Sequence, residues 1–428
     1  MNAMIILFLL VVLMLTGMPI SISLGLTVLS FLFFLTEVPI ESVALKLFTG
    51  IEKFEIMAIP FFILAGNFLT HGGVARRMIA FATSMVGHWY GGLGLGGVLA
   101  CALFAAVSGS SPATVVAIGS ILMPAMVKAG FPKSFGAGVI TTSGALGILI
   151  PPSIVMVMYS VSTNTSVGAL FMAGVVPGIF LAFLLGLTTW WRAKKFNYPR
   201  QTKATWGERW VSFRKAVWGL LLIVVVMGGI YSGIFTPTEA AAMSAVYAFF
   251  VAVFVYKDMG LKDVPRVLLS SANMSAMLLY IITNAVLFSF LLTHENIPQQ
   301  MADNMIGTGI GVIGFLLISN VLLLIAGNFM EPSSIVLILA PILFPIAIKL
   351  GIDPVHFGII MVVNMEVGMC HPPVGLNLYV ASGITKMGIT ELTIAVWPWL
   401  LTMLGFLVLV TYWPTMTLWL PRMMGMVA

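Results

Sequence analysis

The longest polar stretch in this 428-residue chain runs only from Arg192 to Lys215. A small independent domain needs at least about 50 residues, so no soluble domain fits between the apolar runs on either side. Whatever the chain does takes place among those runs. Hydrophobic residues make up 60% of the sequence and charged residues 8%, against about 25% charged in a soluble globular protein. At ~20 residues per crossing, this apolar content is enough for about a dozen helical spans. The expected fold class is an all-α polytopic membrane protein. Its first apolar run, reaching about Leu35, follows Met1-Asn2-Ala3-Met4 with no basic residue before it, so it reads as a retained span and not a cleaved signal.

Several chemistries are excluded at once. The two cysteines, Cys101 and Cys370, both sit in apolar surroundings, which leaves neither a disulfide framework nor a Cys/His zinc cluster. No Walker A, H-E-x-x-H or G-x-S-x-G pattern supports ATP hydrolysis by a P-loop or an intramembrane hydrolase. Gly92-Leu93-Gly94-Leu95-Gly96-Gly97 fits G-x-G-x-x-G, but it lies in an apolar run without a βαβ context, where small residues let helices approach closely. Ion gradients remain as the energy source.

Eight of the twenty Lys and Arg residues are Arg192, Lys194, Lys195, Arg200, Lys203, Arg209, Arg214 and Lys215, with Glu208 the only acid among them. The positive-inside rule makes this segment a cytoplasmic loop and not a nucleic-acid surface. Trp190, Trp191, Trp206, Trp210 and Trp218 flank it as an interfacial belt would. The loop, 192–215, divides the chain into arms of similar size, 1–191 and 216–428.

The two arms repeat each other. At a constant offset of 221 residues Pro124 matches Pro345, Lys128 matches Lys349, Gly130 matches Gly351, Gly147 matches Gly368, and Pro151-Pro152 match Pro372-Pro373. Duplicated halves with interrupted hydrophobic segments in corresponding places are the pattern of secondary transporters, whose site lies at the midplane between broken helices. An odd number of spans per half would make the repeats inverted and place both termini outside.

The interruptions carry the chemistry. In the first half they are Ser108-Gly109-Ser110-Ser111-Pro112-Ala113-Thr114 and Gly144 to Ser153; in the second they are Asn328-Phe329-Met330-Glu331-Pro332-Ser333-Ser334 and Met365 to Asn377. Unpaired backbone groups are costly in hydrocarbon, so such breaks persist only where they face protein or a wet cavity. There, freed carbonyls and hydroxyls can surround a cation while the N-terminus of a half-helix attracts an anion. Only Glu239, Glu331 and Glu366 lie deep in apolar sequence, where a carboxyl group marks a pathway or is simply a hydrogen-bonded packing group. Glu239, after Thr236 and Thr238, also reads as a helix start. His371 is the one histidine placed in a break. No lysine or arginine falls within the broken segments, so an anion would be held by backbone N–H groups, hydroxyls and amides, or by a basic residue folding in from a loop. Amphipathic stretches at Arg76 to His88 and Lys262 to Ala272 precede spans in the two halves and would lie along the interface or brace a moving part.

Taken together, Ser108 to Thr114, Gly144 to Ser153, Phe235-Thr236-Pro237-Thr238-Glu239-Ala240 and His371-Pro372-Pro373-Val374-Gly375-Leu376-Asn377 resemble the large membrane subunit of tripartite ATP-independent periplasmic (TRAP) transporters, dicarboxylate type, over essentially the whole chain. The resemblance implies a sodium-driven importer of an organic-acid anion, with C4-dicarboxylates as the default, in the bacterial inner membrane. It implies two inverted repeats with re-entrant hairpins and broken helices that work as an elevator. Its partners would be a periplasmic substrate-binding protein and a small four-helix membrane subunit, with the lipid bilayer around them and no nucleic acid. No cofactor is implied beyond Na⁺ as coupling ion. Sodium would sit near Ser108, Ser110, Gly144 and Gly147 in the first half and near Glu331, Ser333, Gly368 and Pro372 in the second. Substrate would touch Ser111, Pro152, Ser153 and Asn377, and Glu366 and His371 are candidates for coupling. The competing readings are a stand-alone sodium- or proton-coupled organic-anion symporter without a binding protein, and an intramembrane enzyme built on Glu331, Glu366 or His371.

Overall fold

The computed structural model describes residues 2–36, 38–307 and 309–427, and every regular element among them is helical. Among the described residues eight helices are long and apolar enough to cross a bilayer, including Val264–His294 with 31 residues and Val167–Lys195 with 29. Further apolar sequence sits in shorter helices such as Gly92–Ser108, Ile154–Thr163, Val312–Gly327 and Pro354–Cys370. Large apolar side chains on the outside, including Phe34, Ile179, Leu269 and Ile394, are exposed as lipid-facing residues are. The chain is a multi-pass membrane protein.

The basic stretch is mostly helix. Arg192, Lys194 and Lys195 form the last turn of Val167–Lys195, where the negative end of the helix dipole favours cations. Thr205 starts Trp206–Tyr231 with a capping box: its N–H donates to Glu208 Oε2 (2.7 Å), and the Glu208 N–H donates to Thr205 Oγ1 (3.2 Å). Only 196–205 remain as a connector. On the same basic face, Arg76 and Arg77 of the amphipathic helix Val74–Val86 pair with Asp258. The second amphipathic stretch is no separate element; it runs unbroken into Val264–His294.

Each arm contains a helical hairpin followed by a broken helix. The first hairpin joins Gly92–Ser108 to Ser111–Lys128 through Gly109 and Ser110. Gly109 has φ +61°, and a Cβ there would lie 2.9 Å from the Pro152 carbonyl oxygen, so turn and packing both require glycine. Both ends of this hairpin lie at the basic face: Gly91 meets Ala193, and Phe131 and Phe135, beyond the return, pack on Tyr198 of the connector. The second hairpin joins Val312–Gly327 to Pro332–Lys349. Its ends lie elsewhere, since the Tyr412 hydroxyl donates to the Ile313 carbonyl (3.4 Å) and the Tyr159 hydroxyl donates to the Pro354 carbonyl (2.8 Å).

The first broken helix consists of Lys133–Gly144, one 3-10 turn Ala145–Ile148, a cis Pro151-Pro152 bond and Ile154–Thr163. The second consists of Pro354–Cys370, a cis Pro372-Pro373 bond and Leu376–Thr385. The arms then cross over. Ser111–Lys128 of the first hairpin packs on Leu376–Thr385, and Pro332–Lys349 of the second packs on Ile154–Thr163. Around them Ile20–Leu35, Ala58–His71, Pro237–Phe250 and Val264–His294 pack on one another. The interruptions of both halves are thereby brought into one interior.

Candidate transport site

At the first tip, oxygens converge because the chain turns tightly there. Ser108 Oγ lies 2.9 Å from Thr114 Oγ1, and the Ser110 carbonyl accepts from Thr114 Oγ1 (2.8 Å), the Thr114 N–H (3.1 Å) and Ser108 Oγ (3.3 Å). The tip is held to the broken helix of its own half by backbone, since the Ile154 N–H donates to the Gly109 carbonyl (3.4 Å). Gly147 permits this approach: a Cβ on it would lie 2.5 Å from the Ser110 carbonyl oxygen. Ser108, Ser110, Gly147, Pro152 and Ser153 are thereby brought close together. Gly144 packs on the return helix of the hairpin, since a Cβ there would meet the Val115 side chain. Ser153 caps Ile154–Thr163, its hydroxyl accepting from the Met156 N–H (3.4 Å).

The second tip uses a carboxylate where the first uses a serine. Glu331 caps Pro332–Lys349; it accepts from Ser333 Oγ (2.7 Å), the Ser334 N–H (3.3 Å) and Ser334 Oγ (3.5 Å). Here too glycine sets the packing, because a Cβ on Gly368 would lie 2.8 Å from Gly327 Cα. His371 Nδ1 lies 2.9 Å from Asn328 Oδ1, so this histidine fastens the half-buried start of the second break, Pro372 included, to the hairpin. The two tips also differ in cover. Ser108, Gly109 and Ser111 are buried, whereas Phe329 at the second tip is 65% exposed.

Between the tips the halves meet through one amide. Asn377 Nδ2 donates to Ser111 Oγ (2.7 Å) and to the Thr141 carbonyl (3.3 Å), which also accepts from Cys370 Sγ (3.4 Å). Thr141 is among the last four residues of its half-helix, whose carbonyls have no partner within the helix. Asn377 Oδ1, Ser143 Oγ and both oxygens of Glu366 are buried without a hydrogen-bond partner among the described residues. Such groups point to a bound species or a proton. Among the described residues no three His, Cys, Asp or Glu side chains are grouped as a metal site.

Sequence reasoning missed Thr114, Asn328, Thr141 and Cys370 as participants. Thr114, Asn328 and Cys370 stood within the interruptions, while Thr141 enters only through its carbonyl, for which sequence has no signal. Glu239 proves to be a helix cap: the Thr236 N–H donates to its Oε2 (2.8 Å) and its own N–H donates to Thr236 Oγ1 (3.3 Å).

The family model described as tripartite ATP-independent periplasmic transporter, DctM component, matches residues 7–416. The chain belongs to the large-permease family of TRAP transporters. This TRAP permease is 76% identical to the C4-dicarboxylate TRAP transporter large permease protein DctM of Rhodobacter capsulatus, covering all of both chains. It is 44% identical to the isethionate TRAP transporter permease protein DctMQ of Oleidesulfovibrio alaskensis, with 93% of this chain aligned to 63% of that protein. The crystal structure of the Alcanivorax borkumensis YdaH transporter shares the fold, with a TM-score of 0.62 at 17% identity over 89% of this chain and 90% of that one. The TRAP permease is thus a multi-pass inner-membrane transport subunit and not an enzyme.

Proposed function

We propose that this TRAP permease imports a C4-dicarboxylate across the inner membrane, driven by a sodium gradient. The observation that carries the reading is the pair of oxygen-rich hairpin tips, each packed on the broken helix of its own half, with Ser111 and Asn377 joining the halves between them. Sodium binds near Ser108, Ser110, Gly144 and Gly147, and near Glu331, Ser333, Gly368 and Pro372. The dicarboxylate lies against Ser111, Pro152, Ser153 and Asn377. Glu366 and His371 are the groups that would couple a proton if one is carried.

Residues 1–191 and 216–428 are two inverted repeats on either side of a cytoplasmic segment, 192–215. The reading is supported by the hairpin ends, which meet the basic connector in one half and Tyr159 and Tyr412 in the other. Hairpins and broken helices then slide as one body against the helices around them, as an elevator. Substrate arrives from a periplasmic binding protein, and a small membrane subunit of four helices braces the scaffold. Identity of 76% to a C4-dicarboxylate permease supports the substrate. The extra length of the DctMQ protein, beyond the 63% that this chain spans, supports a second membrane component.

Uptake of labelled succinate into proteoliposomes holding the permease and its small partner, with and without the binding protein, tests the proposal. Uptake that requires the binding protein is expected. Equal uptake without it would replace the tripartite reading with that of a stand-alone symporter.

A further inference from the structure

The cargo of the proposed importer is an anion, yet its broken segments contain no lysine or arginine. A basic residue does reach one of them from a loop. Lys53 precedes the turn Phe54–Met57, and its Nζ donates to the Val161 carbonyl (2.6 Å) and to Asn164 Oδ1 (2.7 Å). Both acceptors stand at the end of Ile154–Thr163 remote from the hairpin tip. An ammonium group carries three donors, and these contacts use two.

The half-buried Lys53 lines a cavity of about 540 Å³ together with Ser160, Asn164, Thr165, Ser166 and Glu55. That volume is in the range of small-molecule sites. Ser166 caps the 29-residue helix Val167–Lys195, its hydroxyl accepting from the Ala169 N–H (3.3 Å), so the positive end of that helix dipole opens into the same space. The lining also includes Ile230, at the end of Trp206–Tyr231 away from the basic connector, and Pro237, which starts Pro237–Phe250. In the orientation proposed above, the cavity opens to the periplasm.

The geometry points to a carboxylate-binding vestibule at this cavity, in which Lys53 receives the organic anion before it passes along Ile154–Thr163 to the hairpin tips. The vestibule rests on the importer reading. A ten-residue half-helix is about 15 Å long, so a single such step separates the vestibule from Pro152 and Ser153. Burial pulls Lys53 below the usual lysine range, with Glu55 partly opposing it. A charge partly stripped of water attracts an anion more strongly than one on an open surface. Glu55 supplies the opposite requirement: a site on a pathway must release what it binds, and its carboxylate on the cavity wall keeps the anion from being trapped.

The alternative is that Lys53 only caps the C-terminal carbonyls of Ile154–Thr163. The two roles separate by experiment on the complex of permease and small subunit in lipid nanodiscs. Lys53 is acylated with a membrane-impermeant amine reagent, and its modification is followed by peptide mass spectrometry against Lys203 of the connector. Succinate is expected to slow acylation of Lys53 about fivefold and leave Lys203 unchanged, while neutral succinamide protects neither. In uptake assays Lys53→Gln, which keeps a donor for the cap, raises KM by a similar factor; Lys53→Arg does not, and Glu55→Gln lowers KM. Normal succinate uptake by the wild type with no protection of Lys53 would overturn the vestibule and leave the importer standing. Protection by inorganic phosphate equal to that by succinate would overturn its assignment to carboxylates. Protection without any succinate uptake would keep the site and remove the transport reading.

Discussion

Asn377 donates to the hydroxyl of Ser111 across 266 residues of chain, at 2.7 Å and fully buried. It is the one side-chain hydrogen bond described between the first hairpin and the second broken helix. Its amide oxygen has no donor among the described residues, which leaves an acceptor for a cation or a solvated ligand. Asn377→Ala therefore removes both the bridge and that acceptor. Loss of a buried pair costs about 1–3 kcal/mol, so thermal unfolding in detergent should fall by a few degrees while succinate uptake falls by about tenfold or more. Uptake near wild type in this variant would remove Asn377 from the site.

Glycine contacts give a sharper contrast. A Cβ on Gly368 would stand 2.8 Å from Gly327 Cα, backbone against helix, whereas one on Gly228 would meet nothing within 4 Å. Gly368→Ala should cost about 1–3 kcal/mol through forced separation of the second tip from its broken helix. Gly228→Ala, in an open helix interior, should stabilise by up to about 1 kcal/mol. Paired unfolding curves of the two variants check the assignment.

The first tip also distinguishes a side chain from a backbone atom. Ser110 contributes its carbonyl to the oxygen cluster, whereas Ser108 contributes its hydroxyl. Ser110→Ala should leave the sodium dependence of uptake almost unchanged, and Ser108→Ala should raise the half-saturating sodium concentration about fivefold. At the second tip Glu331→Gln should raise it as well, because an amide nitrogen replaces one of the carboxyl oxygens that Ser333 and Ser334 hold. The readout is initial uptake rate against sodium concentration.

On the basic face, Asp258 accepts from both Arg76 and Arg77. Burial pushes its carboxyl up, but the two guanidinium groups outweigh that and hold it below the ordinary aspartate value of 3.8. A depressed folded-state pKa gives stability that is present above 3.8 and lost as pH falls through the lower folded value. The pair is solvent-screened and worth at most about 1 kcal/mol. Unfolding temperature should therefore be flat from about pH 8 to pH 5 with respect to this pair and drop below about pH 4. Asp258→Asn should remove that part of the drop.

The parts legible in the sequence are those that depend on residue types with few alternatives. Pro151-Pro152 and Pro372-Pro373 marked both breaks, and Gly109, Gly147, Ser111 and Asn377 all stood within the interruptions. What escaped was set by tertiary direction. Nothing in the sequence tells that Gly144 faces Val115, that His371 turns to Asn328 instead of Glu366, or that Leu376–Thr385 crosses to the first hairpin. The polar stretch 192–215 overstated the connector for a related reason, because hydropathy ends where charge begins while the helix continues through Arg192 to Lys195.

Coupling of sodium to anion import at the oxygen-rich tips underlies every step above. It is tested most directly by initial succinate uptake into proteoliposomes of the permease, small subunit and binding protein, with an imposed gradient of either Na⁺ or H⁺ at fixed membrane potential. Uptake is expected with an inward sodium gradient and not with a proton gradient alone. Uptake driven by protons in the absence of sodium would contradict it and assign coupling to proton carriage by Glu366 and His371.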